Sequence, residues 1–112
     1  MPNEIPVLDR VFQALSHPAR REIISRLGRS PATMTDLAAP HDMALPSFLQ
    51  HLQVLEAAEM VRSEKVGRVR TYFLEPKRLI EAEHWMEAHH REWKTRLDQL
   101  DEFLLQQKEP KS

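Results

Sequence analysis

Apolar residues return along this chain first at helical spacing and later at strand spacing. Val7, Val11 and Leu15, with Leu8 and Phe12 beside them, keep an i, i+4 rhythm that predicts an amphipathic helix ending at Ser16-His17-Pro18. Pro18 suits the first position of a second helix, where its missing N–H costs nothing. Ile23, Ile24 and Leu27 form the apolar stripe of that helix, and Gly28 is its expected C-terminal stop. A loop is expected over 29–32. Thr33-Met-Thr-Asp36 then has the form of a helix start in which a side-chain oxygen caps the first turn, and Pro40 breaks the short helix that follows. Pro46 opens a longer one, with Phe48, Leu52 and Leu55 at i, i+4, i+7. A short helix, a tight turn and a longer helix predict a helix-turn-helix at about residues 34–58.

The period then changes to two. Across 61–74, Val69, Thr71 and Phe73 alternate with Arg68, Arg70 and Tyr72 around Gly67, which predicts a β-hairpin, or wing, with a basic outer face. From Pro76 to about Gln107 a long helix is expected. Its positions fall in two heptad rows, Leu79, Met86, Trp93, Leu100 and Glu83, His90, Leu97, Leu104. Such a seam needs a partner, either the first helix or a second copy of the chain. Phe12, Met86, Trp93, Leu97, Leu100 and Leu104 are therefore the candidate dimer contacts. Trp85 and Trp93 read as packing anchors. Residues 1–107 are read as one domain, mainly α with a small β-hairpin, and 108–112 as a tail.

Composition narrows the function. The 112 residues include no cysteine, which removes disulfides, thiolate metal sites and thiol nucleophiles together. No apolar run reaches the roughly 20 residues that span a bilayer, and the first ten residues lack a signal-like core, so the chain reads as cytoplasmic, with no membrane partner. A net charge of -1 excludes only an indiscriminate binder of nucleic acid. The balance is uneven locally: Arg62, Lys65, Arg68 and Arg70 crowd into the hairpin against one acid, Glu64.

The segments FQALSHPARREIISRL at 12–27, MTDLA at 34–38, MALPSFLQHLQVLEAAEMV at 43–61 and EKVGRVRTYFLEP at 64–76 resemble the ArsR/SmtB group of bacterial transcriptional repressors. The likeness covers nearly all of residues 7–105. Within the group the chain is similar to the branch that lacks metal-binding cysteines and has a Trp-rich last helix. The resemblance implies a winged helix-turn-helix with a long C-terminal dimerisation helix. It also implies a homodimer whose recognition helices enter successive major grooves of a palindromic operator in double-stranded DNA, with an effector that weakens binding. Which effector is left open.

The residues support DNA binding on their own terms. With Phe48 inward, helical geometry turns Pro46, Gln50 and Gln53 outward and puts Ser47, His51 and Val54 on the flanks. Glutamine can pair with adenine through two hydrogen bonds, and serine and histidine can bond base edges or phosphates. Ser47, Gln50, His51 and Gln53 are thus candidate base readers, His51 having a second reading as a half-buried residue packed on the second helix. Arg62, Lys65, Arg68 and Arg70 are candidate phosphate or minor-groove contacts. Arg20 and Arg21 are weaker candidates, one of which can pair with Asp9 or Glu22. Against the family pattern, Ala44, Leu49 and Gln50 stand where many relatives have Ser, Ser and Lys. Glu59 replaces a common Gly, which argues against a left-handed cap there.

In the last helix His84, Glu87, His89, His90 and Glu92 include pairs at i, i+3, a spacing that places side chains on one helix face. The early half of the family's last-helix metal pattern falls on Pro76 and Arg78, so no metal and no cofactor is assigned. His90 reads as an interface histidine. No phosphate loop, HExxH or nucleophile elbow is present, which argues against an enzyme. The alternatives to a DNA-binding repressor are a repressor that senses metal through the His/Glu cluster, or a winged-helix interaction module without DNA binding.

Overall fold

A computed structural model of the chain describes residues 6–108. The elements run α1 (Val7–Ala14), α2 (Pro18–Arg29), β1 (Ala32–Thr33), α3 (Met34–Ala38), α4 (Leu45–Ala57), β2 (Val61–Val66), β3 (Val69–Leu74) and α5 (Lys77–Lys108). The chain divides into two compact units, up to Ala82 and from Glu83 onward.

In the first unit, helices wrap a core of fully buried side chains, among them Val11, Ile23, Leu37, Phe48, Leu52, Leu55 and Met60. Two of the helix starts follow from local capping chemistry. The His17 ring accepts a hydrogen bond through Nδ1 from Ala19 N–H at 3.1 Å, capping α2 just before Pro18. Thr33 Oγ1 accepts one from Asp36 N–H at 3.1 Å, the expected cap of α3. Ala44 precedes α4 without a side-chain cap.

Several expectations are corrected in detail. Helix α1 turns Val11 and Ala14 inward and leaves Val7 and Phe12 about 40% exposed, so its buried stripe is not the one led by Val7. Gly28 lies inside α2, which runs on to Arg29. Ser30 is the C-cap, and Arg26 donates to its carbonyl and to its hydroxyl. Arg21 is turned back to the Leu15 carbonyl at 2.7 Å, and Glu22 is held by His41 Nε2 at 2.9 Å, so neither arginine forms the suggested pair with Glu22.

The expected loop before α3 contains a strand. β1 pairs antiparallel with β3 (Ala32 with Tyr72, Thr33 with Thr71), giving a three-stranded sheet in the order β1-β3-β2. The hairpin closes through Gly67-Arg68, with Val66 opposite Val69 and Gly67 at φ 62°, as a two-residue turn with glycine first requires. This register puts Val61, Ser63, Lys65, Arg70, Tyr72 and Leu74 on one face and Arg62, Glu64, Val66, Val69, Thr71 and Phe73 on the other. Tyr72 is 3% exposed, so its face is the one turned to the core and the expected outward tyrosine is corrected.

The end of α4 departs from expectation too. Glu59 sits at φ 59°, Glu59 N–H bonds the Glu56 carbonyl at 2.9 Å, and Met60 N–H bonds that of Leu55 at 3.0 Å. These two bonds make a full Schellman cap with a non-glycine residue at the left-handed position.

The second unit is the body of α5. Beyond Ala82 no described residue is buried, and Trp85, Met86, Trp93, Leu97, Leu100, Phe103, Leu104 and Leu105 are all exposed. Trp85, His89 and Trp93, spaced by four, stack along one side, with the tryptophan rings edge to face at 6.1 Å. Lys108 belongs to the helix rather than to the expected tail, whose remaining residues lie outside those described. No described helix is long and apolar enough to cross a membrane.

Candidate nucleic-acid interface

Burial of Phe48, Leu52 and Leu55 fixes the rotation of α4. Pro46, Ser47, Gln50 and Gln53 are consequently exposed, as the spacing predicts, while Leu49 is half-buried. Beside this face stands the hairpin. Between them opens a cleft of about 500 Å³ lined by Met34, Leu49, Gln53, Glu56, Lys65, Arg68, Arg70 and Tyr72. One expected base reader and three of the four expected wing cations thus meet at a single concave surface. Arg70 is steadied there by donating to Ser63 Oγ at 2.8 Å.

Arg62 is placed elsewhere. It lies on the opposite face of the hairpin, with Nη1 2.8 Å from Glu64, Nε 2.8 Å from Glu75, and its guanidinium 4.2 Å over the Phe73 ring. Its charge is matched within the wing. Because Glu64 is occupied by Arg62, the remaining cations of the hairpin keep a positive surface.

His51 flanks the exposed stripe of α4 and is half-buried, its ring 4.2 Å from that of His17 at the start of α2. Burial lowers its pKa below the ordinary value of 6.5, helped electrostatically by the neighbouring His17, Arg20 and His41. The shift favours the neutral imidazole. At the floor of the cleft, burial first and the Glu56 carboxylate second push the Tyr72 phenol up from its usual pKa, partly offset by Arg70.

Met34, Glu56 and Tyr72 join the site without having been expected in it. A two-residue turn at Gly67-Arg68 fixes the register and puts Tyr72 on one face with Val61 and Leu74, but Val66, Val69 and Phe73 share the other, so the sequence alone does not mark which face is inward. In α5, His89 Nδ1 lies 2.9 Å from the Trp85 carbonyl and its ring stacks on Trp85. Among the described residues no three His, Asp or Glu side chains are grouped to hold a metal ion.

Known proteins match this architecture. A helix-turn-helix domain family covers residues 15–64. The HTH-type transcriptional regulator Rv2034 of Mycobacterium tuberculosis is 38% identical over 68 residues, which span 61% of this chain and 64% of that protein. The transcriptional repressor SdpR of Bacillus subtilis is 32% identical over 79 residues, 70% of this chain and 88% of that one. A crystal structure of an ArsR family transcriptional regulator superposes with a TM-score of 0.74 at 43% identity, covering 79% of this chain and 91% of the other. The chain belongs to the ArsR family. An ArsR-like transcriptional regulator from Rhodococcus sp. RHA1 agrees, with a TM-score of 0.67, 32% identity and coverage of 87% and 92%. In this ArsR-family regulator, α3, α4 and the β2–β3 hairpin follow one another in the order of a winged helix-turn-helix.

Proposed function

We propose that this ArsR-family chain acts as a homodimeric repressor that binds a palindromic operator and leaves it when an effector binds. One observation carries the reading: the exposed amide face of α4 adjoins a cleft whose other wall bears Lys65, Arg68 and Arg70. A major groove about 12 Å wide admits a helix, and cations beside it neutralise the flanking phosphates. Ser47, Gln50 and Gln53 face the base edges, and His51 approaches from the flank. Lys65, Arg68 and Arg70 engage phosphate or the minor groove, with Arg62 at the base of the wing. Residues 1–107 serve as one domain. Dimerisation uses Phe12 with Met86, Trp93, Leu97, Leu100 and Leu104, which leaves the exposed apolar residues of α5 an occupant in a second copy. Repression accords with the name of the Bacillus subtilis relative. The chain carries no catalytic role in this reading, and it works in the cytoplasm where its DNA is.

The test is a mobility-shift titration on the DNA upstream of the chain's own gene, repeated across a salt series, with sedimentation of the free protein. A dimer that shifts this DNA with affinity falling steeply in salt is expected. A protein that sediments as a monomer, or a shift indifferent to salt, contradicts the proposal.

A further inference from the structure

The class of DNA sequence taken by this surface follows from what α4 holds and what it lacks. This rests on the DNA-binding reading above. From Leu45 to Ala57 the helix has no arginine or lysine. Guanine offers two acceptors, O6 and N7, to the major groove, and their usual bidentate partner is a cationic side chain with paired donors. Cytosine offers a donor that a carboxylate accepts, but Glu56, the sole carboxylate of α4 and in its last turn, is engaged by the Tyr72 phenol. The exposed polar groups not engaged in this way are the amides of Gln50 and Gln53 and the hydroxyl of Ser47. An amide matches adenine, whose N7 accepts and whose N6 donates. Leu45, 48% exposed in the first turn, and Leu49 in the cleft wall supply apolar surface of the kind that meets the thymine methyl.

The wing provides a second, independent observation. Arg68 is the second residue of the two-residue turn, so it sits at the very tip of the hairpin, exposed and without an ion pair among the described residues. The nearest acid in sequence on the hairpin, Glu64, is bonded to Arg62. A lone guanidinium on a narrow tip fits a narrow minor groove, and the minor groove narrows and deepens its negative potential over A·T runs.

We infer that the operator half-site of this regulator is A·T in character twice over: A·T pairs under α4 in the major groove, and an A·T run in the flanking minor groove under Arg68.

Selection of double-stranded DNA from a random pool with the full chain tests this, followed by affinity measurements on the recovered sites. Each half-site is expected to show A·T pairs at the positions under α4 and an A·T run beside them. Replacing one core A·T pair by G·C should weaken binding about tenfold. Gln50→Arg should shift one core position per half-site to G·C. Arg68→Ala should abolish the preference in the flank and leave the core unchanged. A recovered core with G·C at the position that responds to Gln50→Arg overturns the inference while leaving DNA binding intact. Retention of DNA with no enriched sequence also overturns it. Failure to retain any DNA at low salt overturns instead the DNA-binding reading on which it stands.

Discussion

The carboxylate of Glu59, at the left-handed residue that ends α4, lies 2.9 Å from Nη2 of Arg78 in the first turns of α5. Arg78 also holds Glu81 at 2.9 Å, so one guanidinium ties the end of α4 to the start of α5. A residue with a Cβ is strained at this φ by about 1 kcal/mol, and an exposed ion pair returns between 0 and about 1 kcal/mol. Glu59→Gly should therefore leave stability unchanged or raise it slightly. Glu59→Ala, with the strain and without the pair, should be about 1 kcal/mol less stable than the glycine variant. Urea unfolding of the three proteins measures both differences.

Ala44 leaves the first N–H groups of α4 without a side-chain acceptor. Ala44→Ser should stabilise the free protein by roughly 0.5–1 kcal/mol through a new cap. A thermal melt that moves upward for this variant is the expected result, and an unchanged melt means that solvent already satisfies those groups equally well.

His51 makes stability depend on pH. Its folded pKa lies below its unfolded value near 6.5, so the unfolded chain takes up the proton first. The contribution of neutral His51 is complete above about pH 6.5 and is lost as pH falls through the lower folded value. Denaturant midpoints measured from pH 7.5 down to 5 should decline for the natural chain and decline less for His51→Gln.

Lys65 and Arg62 should separate in their effects on DNA. Lys65→Ala is expected to reduce the slope of log affinity against log salt by about 2 per dimer, one for each phosphate that is no longer neutralised. Arg62→Ala removes a residue already bonded to Glu64 and Glu75 and stacked on Phe73. It should lower thermal stability, with a smaller change in that slope. Equal slopes for the two variants would contradict the distinction drawn between the two faces of the wing.

Leu97 is 60% exposed on α5. Leu97→Asp should convert the proposed dimer to a monomer in sedimentation and abolish the DNA shift together. A dimer that survives the substitution removes Leu97 from the interface.

Legibility follows locality. The Thr33 cap, Pro18 at the start of α2 and the spacing of Phe48, Leu52 and Leu55 are written within one or two helical turns, so α2, α3 and α4 and the outward placing of Gln50 and Gln53 are readable directly. β1 is not: two residues have no periodicity, and Ala32-Thr33 is a strand only because β3 returns about forty positions later to pair with it. Glu59 misleads because tertiary contacts hold it, with Met60 buried behind and Arg78 in front. His51 is half-buried against His17, the cap of α2, as its second reading has it, but no spacing within α4 decides between that reading and an outward one. The hairpin is legible as a hairpin, but the phase of its alternation depends on the core beneath it, and a shift of that phase exchanges the two faces wholesale.

Thr33 serves two elements at once, its backbone pairing with Thr71 of β3 and its hydroxyl capping α3. The wing and the helix-turn-helix are thereby stitched through a single residue, with β3 as the middle strand. The hairpin and the start of α3 are in this way joined through β1. If α4 and the tip hold the two grooves as proposed, the span between those contacts is set when the chain folds. A duplex whose groove widths do not match that span has to deform to be held, and its stiffness then enters the choice of site alongside its bases.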